Sequence, residues 1–133
     1  MSSHSVHTLS LQLRYTDFDD QGVLNNAVYL TLFELARIEM FKTSLGERVN
    51  DYRFLIAHVE IDYLKPVVIG QSAFCRTQIS ALGNSSVKFY QEIMTDEDPE
   101  PACTGSTVAV LFDRYGKKNR FTSEMKELLG WKE

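Results

Sequence analysis

The sequence predicts an α+β domain in which one curved, five-stranded antiparallel sheet wraps a single long helix, with a short helix at the C-terminal end. Three observations predict it: period-two alternation of apolar residues near the start, a densely apolar helical run from Ala27 to Leu45, and four later strand-like segments set apart by turn signals. A length of 133 residues suits one domain spanning 1–133, without internal repeat or linker.

Leu9, Leu11, Leu13 and Tyr15 alternate, which predicts a first strand over Thr8–Tyr15 with one buried face. Asp17 to Asn26 holds turn-forming residues, and Gly22 can take a backbone conformation closed to other residues. In the helical run, Val28, Leu30, Leu32, Phe33, Leu35, Ala36, Ile38, Met40 and Phe41 exceed what one buried stripe needs, so the helix is expected to be enclosed nearly all round. Asn25 or Asn26 is placed to cap it and Gly46 to end it. Strands are expected at Phe54–Leu64, Ser72–Leu82, Ser86–Met94 and Cys103–Arg114, rich in β-branched and aromatic residues. Lys65-Pro66 closes the first of these, and Gly83-Asn84 signals a tight hairpin between the second and third. These connections predict antiparallel neighbours. Asp96 to Pro101 is acidic and proline-containing, and reads as an exposed loop. Thr122 to Leu129 reads as a closing helix capped by Thr122 or Ser123. One helix cannot cover both edges of such a sheet, so the chain is expected to form a homodimer or homotetramer by edge-to-edge association, with a site at the interface.

A net charge of −4 and a pI near 5.4 argue against nucleic acid as a partner, which would require a broad basic face. No apolar run approaches the ~20 residues that span a bilayer, and Met1 to His7 lacks the basic and apolar parts of a leader. The expectation is a cytoplasmic protein without membrane attachment. Cys75 and Cys103 have neither CxxC spacing nor nearby histidines, so buried free thiols are expected, and neither metal nor redox cofactor.

Chemistry concentrates in the segment Tyr15 to Tyr29, where carboxylates, a glycine and two asparagines precede the apolar helix. A carboxylate at the mouth of a buried helix can act as base or nucleophile, and Asp19 is the first candidate. The free N–H groups of the first turn, around Asn26, Ala27 and Val28, would stabilise an oxyanion formed there. Taken alone, a loop carboxylate such as Asp19 more often makes an Asx-turn.

Asp17-Phe18-Asp19-Asp20-Gln21-Gly22, then Asn25-Asn26-Ala27-Val28-Tyr29-Leu30 and Phe33-Glu34-Leu35-Ala36-Arg37, resemble the D-x-D-x-x-G, N-N-x-x-Y-L and E-x-A-R signature of the hotdog-fold acyl-CoA thioesterases. The pattern is most similar to the 4-hydroxybenzoyl-CoA thioesterase-like group, and continues through Asp62 to Pro66, Gly70, and Asp113 to Leu129. The resemblance implies a hotdog fold and hydrolysis of an acyl-CoA, coenzyme A being part of the substrate rather than a cofactor. It implies Asp19 as the nucleophile or general base, Asp17 as a supporting residue, and the backbone at Asn26 facing the thioester carbonyl. Gly22, Asn25, Ala27 and Tyr29 fall inside the signature as substrate-binding positions. The chain departs from the pattern at Val23 and Asn26, where relatives carry histidine, leaving the amides of Asn25 or Asn26 to orient water or the carboxylate.

Outside the signature, Glu34 is expected to find a partner such as Arg37 one turn on, in a structural role. His58, sharing a strand face with Glu60 and Asp62, is a further substrate-side candidate, although a solvated strand histidine is the plainer expectation. Arg114, Lys117, Lys118 and Arg120 could meet the phosphates of coenzyme A, or form a solvated turn. Two rival functions stay open: a hotdog dehydratase of hydroxyacyl thioesters with His58 moving protons, and a non-catalytic acyl-CoA-binding module.

Overall fold

Alternation near the start does build a strand, β1 (His7–Leu11), but the chain leaves it earlier than Tyr15 and coils into a 3-10 turn over Tyr15–Asp17. The cause is Asp17, whose carboxylate reaches back to the Arg14 backbone N–H at 2.7 Å and to its guanidinium at 3.1 Å. The computed structural model describes residues 5–131, so the first four residues of the start-segment reading lie outside the described residues.

Helix α1 (Val28–Leu45) ends at Gly46, which takes φ +60° and donates its N–H to Lys42 O. After a 3-10 segment come β2 (Tyr52–Tyr63), β3 (Ala73–Leu82), β4 (Ser86–Thr95), β5 (Asp98–Asp113) and α2 (Ser123–Leu128), whose Thr122 cap accepts the Met125 N–H at 3.1 Å. The sheet order is β1-β3-β4-β5-β2, antiparallel throughout. Two expectations are corrected here. β2 does not neighbour β3: the chain crosses over residues 64–72 so that β2 pairs with β5 and forms one edge of the sheet. The acidic stretch is not a loop either, since Thr95 pairs with Asp98 across a two-residue turn and Pro99 and Pro101 are already in β5. Proline is tolerated there because β5 overhangs the end of β2, which stops at the Tyr63–Cys103 pair.

The sheet curves around α1. Phe33, Ala36, Met40 and Phe41 of the helix are buried against Cys75, Ile79, Phe89, Ile93, Cys103 and Leu111 of the strands. Burial pushes the Cys75 thiol up to about 11 and the Cys103 thiol up to about 12, so both are inert. The helix is not enclosed all round by its own chain: Leu30, Leu35 and Ile38 are exposed. They are not alone, because edge strand β2 also exposes Leu55, Ile56, Val59 and Tyr63. An unpaired twelve-residue edge beside an apolar helix face is the surface that association would cover.

Candidate active site

The loop between β1 and α1 folds as a small hairpin pinned to the crossover. Phe18 bridges to Leu24, Asp19 N–H donates to Val23 O at 2.9 Å, and Asn25 N–H donates to Asp17 O at 2.9 Å. Leu24 N–H donates to Val67 O and Ile69 N–H to Gly22 O, which clamps the hairpin to residues 67–69. Its tip needs Gly22, at φ +75°, because a side-chain-bearing residue would be strained there.

Asp19 sits exposed at this tip. Its Oδ1 accepts the N–H of Gln21 at 2.8 Å and of Val23 at 3.4 Å, an Asx-turn, while Oδ2 accepts no hydrogen bond among the described residues. The carboxylate is therefore held by one oxygen and presents the other. Asp17 differs: it is buried, and its carboxylate is committed to Arg14. The Arg14 backbone N–H, then its guanidinium, hold the Asp17 pKa below the ordinary value, against an opposing push from burial. A depressed native pKa stabilises the fold above the ordinary aspartate pKa near ~4, and that stability is lost as pH falls below it towards the native value. Acid unfolding of Asp17→Asn should accordingly be less steep than wild type below about pH 4. Matching acid-unfolding curves for the two proteins would remove this role.

At the helix start the expected trio of free N–H groups is reduced to one. Asn25 Oδ1 takes the Ala27 N–H at 3.0 Å, and Asn25 O takes the Val28 N–H at 2.9 Å. Asn25 thus closes the turn ahead of the helix, whose N-cap position is Ala27 with no side-chain cap, so neither Asn25 nor Asn26 caps α1 as expected, and Ala27 and Val28 have no donor to offer. The Asn26 N–H makes no hydrogen bond among the described residues, and it stands at the positive end of an eighteen-residue helix. Asn26 is fixed from its other side, since Tyr63 Oη donates to Asn26 O at 2.8 Å. Tyr63 packs edge-on to Tyr29, ring centroids 5.2 Å apart. The sequence quoted Tyr63 only as part of a pattern; its role depends on β2 crossing to the helix start, which no local signal announces.

Other expected site residues fall elsewhere. Tyr29 is a core residue, 3% exposed. Ile61 packs into the cluster under α1, so alternation along β2 turns His58, with Glu60 at 3.1 Å, to the sheet face away from the helix. Arg114, Lys117 and Lys118 lie in the turn after β5, where Arg114 pairs with Asp51 beyond the C-terminal end of α1. That is a helix length, about 27 Å, from Asn26 in the same chain. Glu34 is exposed and does not pair with Arg37, which is buried against Gln91 instead. A cavity of about 780 Å³ opens between Leu11, Leu13, Phe18 and Ile69 to Phe74, next to the hairpin but lined by neither Asp19 nor Asn26. No cluster of metal-ligating side chains occurs among the described residues.

The model of the thioesterase superfamily matches residues 21–102, more than half of the chain. This chain belongs to the thioesterase superfamily. The match starts two positions after Asp19, so it includes Gly22, the helix start and β2 but neither aspartate of the hairpin. Among similar proteins, the chloroplastic acyl-acyl carrier protein thioesterase ATL2 of Arabidopsis thaliana is 28% identical over 93% of this chain and 68% of its own length. The acyl-CoA thioesterase YbgC of Helicobacter pylori is 36% identical over 59% of this chain, and the chain spans 60% of that relative. A Thermus thermophilus thioesterase crystallised with coenzyme A and zinc superposes with a TM-score of 0.81 at 28% identity, covering 97% of this chain and 94% of that one. A predicted thioesterase from Bacillus stearothermophilus superposes at 0.82 with 26% identity, covering 94% of each. This superfamily member has the hotdog fold, one long helix held in a curved antiparallel sheet.

Proposed function

We propose that this chain hydrolyses acyl-CoA thioesters, with Asp19 as base or nucleophile and the Asn26 N–H as oxyanion donor. Two features carry the reading: a half-free carboxylate at the hairpin tip and an unbonded N–H at the helix start, in segments tied together where Asn25 N–H donates to Asp17 O. In the reaction, water or Asp19 adds to the thioester carbon, the oxyanion is held by Asn26 N–H and the helix pole, and the C–S bond breaks to release coenzyme A thiolate; on the covalent route water then cleaves the mixed anhydride and frees Asp19. The products are a carboxylate, coenzyme A and one proton. The dehydratase alternative is weakened because His58, its proton carrier, faces away from the helix start.

The active form we propose is a homodimer or a multiple of it, formed by pairing β2 with its copy. A two-fold axis through this antiparallel pairing sets the Tyr63 end of one strand beside the Tyr52 end of the other. Arg114, Lys117 and Lys118 of the second copy, next to Tyr52 through the Tyr52–Asp113 pair, then come near the helix start and can meet coenzyme A phosphates. Thiol release measured over short, long and aromatic acyl-CoAs tests the function; tight acyl-CoA binding without thiol release would leave only a binding module. Light scattering tests the assembly: Leu55→Lys with Val59→Lys should convert a dimer to monomer and lower turnover by about tenfold or more. A monomeric wild type with full activity would refute the shared site.

A further inference from the structure

We propose a second ligand site, for a small uncharged molecule carrying a hydroxyl on an aromatic ring, in the pocket between β1, the C-terminal half of α1 and the turn after α2. The pocket measures about 230 Å³. It is assembled where two distant parts of the chain meet. Gly130, at φ +74°, reverses the backbone after α2, and the Trp131 N–H donates to Lys126 O at 2.9 Å. The start of the chain lies against this turn, since a Cβ at Gly130 would stand 3.4 Å from Ser5 Oγ. Met40 and Ile79 line the pocket from the core, Leu129 and Trp131 from the closing turn.

The residue that points to a ligand is His7, which also lines the pocket. Alternation along β1 turns it, with Leu9 and Leu11, towards α1, and its Nδ1 is buried without a hydrogen-bond partner among the described residues. A buried ring nitrogen left unpaired destabilises the fold, so such atoms are ordinarily matched by a protein group, a water or a ligand. The other polar side chains of the lining are the hydroxyls of Ser5, Thr43 and Ser44, and no Asp, Glu, Lys or Arg takes part. An ion would therefore be buried without a counter-charge. A hydroxyl both donates and accepts, so it pairs with Nδ1 in either tautomer of the ring. The Met40 thioether and the Trp131 ring favour an aromatic body. A dry cavity of roughly 150 Å³ takes one benzene ring, which leaves this pocket room for a ring and its substituent. Ser5 and Thr43 are exposed and give entry from solvent.

Along α1, Met40 lies about 21 Å from Asn26. β1 is the sheet edge opposite β2, so association through β2 leaves the pocket open. The site therefore stands apart from the hydrolase reading, and its failure would not touch that reading. Phenol and toluene, equal in ring and near-equal in size, are the probes. Trp131 is the single tryptophan of the chain, so its fluorescence reports occupancy. Titration of the full chain should saturate with phenol bound about tenfold or more tighter than toluene, because only phenol pairs the buried nitrogen. His7→Phe should bring that ratio to within about twofold of one. The His7 Nδ1 signal in ¹⁵N NMR of the wild type should shift with phenol and not with toluene, a readout that needs no folded variant. Equal affinities in the wild type, a fluorescence change that does not saturate, or a His7 signal unmoved by phenol would each mean that water alone occupies the pocket, and would overturn the site.

Discussion

Replacing Asp19 by asparagine is expected to lower kcat for acyl-CoA hydrolysis by about 10² or more. The substitution is nearly isosteric, and its informative feature is what it preserves. An asparagine Oδ1 still accepts the Gln21 and Val23 N–H groups, so the Asx-turn and the hairpin persist. Only the charge and basicity of the free oxygen are lost, and both the water-activating and the covalent routes need them. Because Asp19 is exposed and unpaired with any cation among the described residues, unfolding free energy should change by no more than about 0.5 kcal/mol. Asp19→Ala is the weaker experiment, since it also removes the turn. The discriminating measurement is kcat and KM on one acyl-CoA alongside a denaturation curve. Wild-type-like kcat in Asp19→Asn, with the fold intact, would move the chemistry to another group.

What the sequence made legible was local, and what it hid was decided by pairing across distance. The ends of α1, the Gly83-Asn84 hairpin and the Thr122 cap each follow from a residue's own conformational preference, and each is found within a residue or two of its expected place. The same locality misled at Asp98 to Pro101, where proline reads as a loop signal unless one knows that the neighbouring strand has ended. Glu34 and Arg37 show the limit most plainly. Their spacing suggests an ion pair, but the buried partner of Arg37 is Gln91, fifty-four residues on, and the sheet places it there. His58 was correctly grouped with Glu60, yet which face of β2 meets the helix depends on Ile61 and Tyr63 packing against α1. In the site itself, Asp19, Gly22 and the helix start were readable as a motif. The reduction of three N–H groups to one was not, because it requires the position of the Asn25 side chain.

Truncating Phe33 to alanine should cost about 3–5 kcal/mol of unfolding free energy. Set against a total of about 5–15 kcal/mol for a domain of this kind, that is a large fraction. The ring is 1% exposed and rests directly on Gly105 of β5: a Cβ at that glycine would lie 2.9 to 3.3 Å from three of its carbons. Here α1 packs tightly on the sheet, and Gln91 Nε2 ties the same turn down by donating to Phe33 O at 2.9 Å. Gly105 therefore serves close packing rather than a turn, and Gly105→Ala should cost about 1–3 kcal/mol by overpacking. If the two residues share one space, Gly105→Ala combined with Phe33→Leu should cost less than the sum of the single changes, because the smaller side chain makes room for the added methyl. Urea midpoints at unchanged m-value measure all three. Since α1 carries Asn26 at its start, overpacking at Gly105 should also displace the proposed oxyanion donor and lower kcat. Strict additivity of the two substitutions would mean that the helix is seated elsewhere, and the position of Asn26 would need another support.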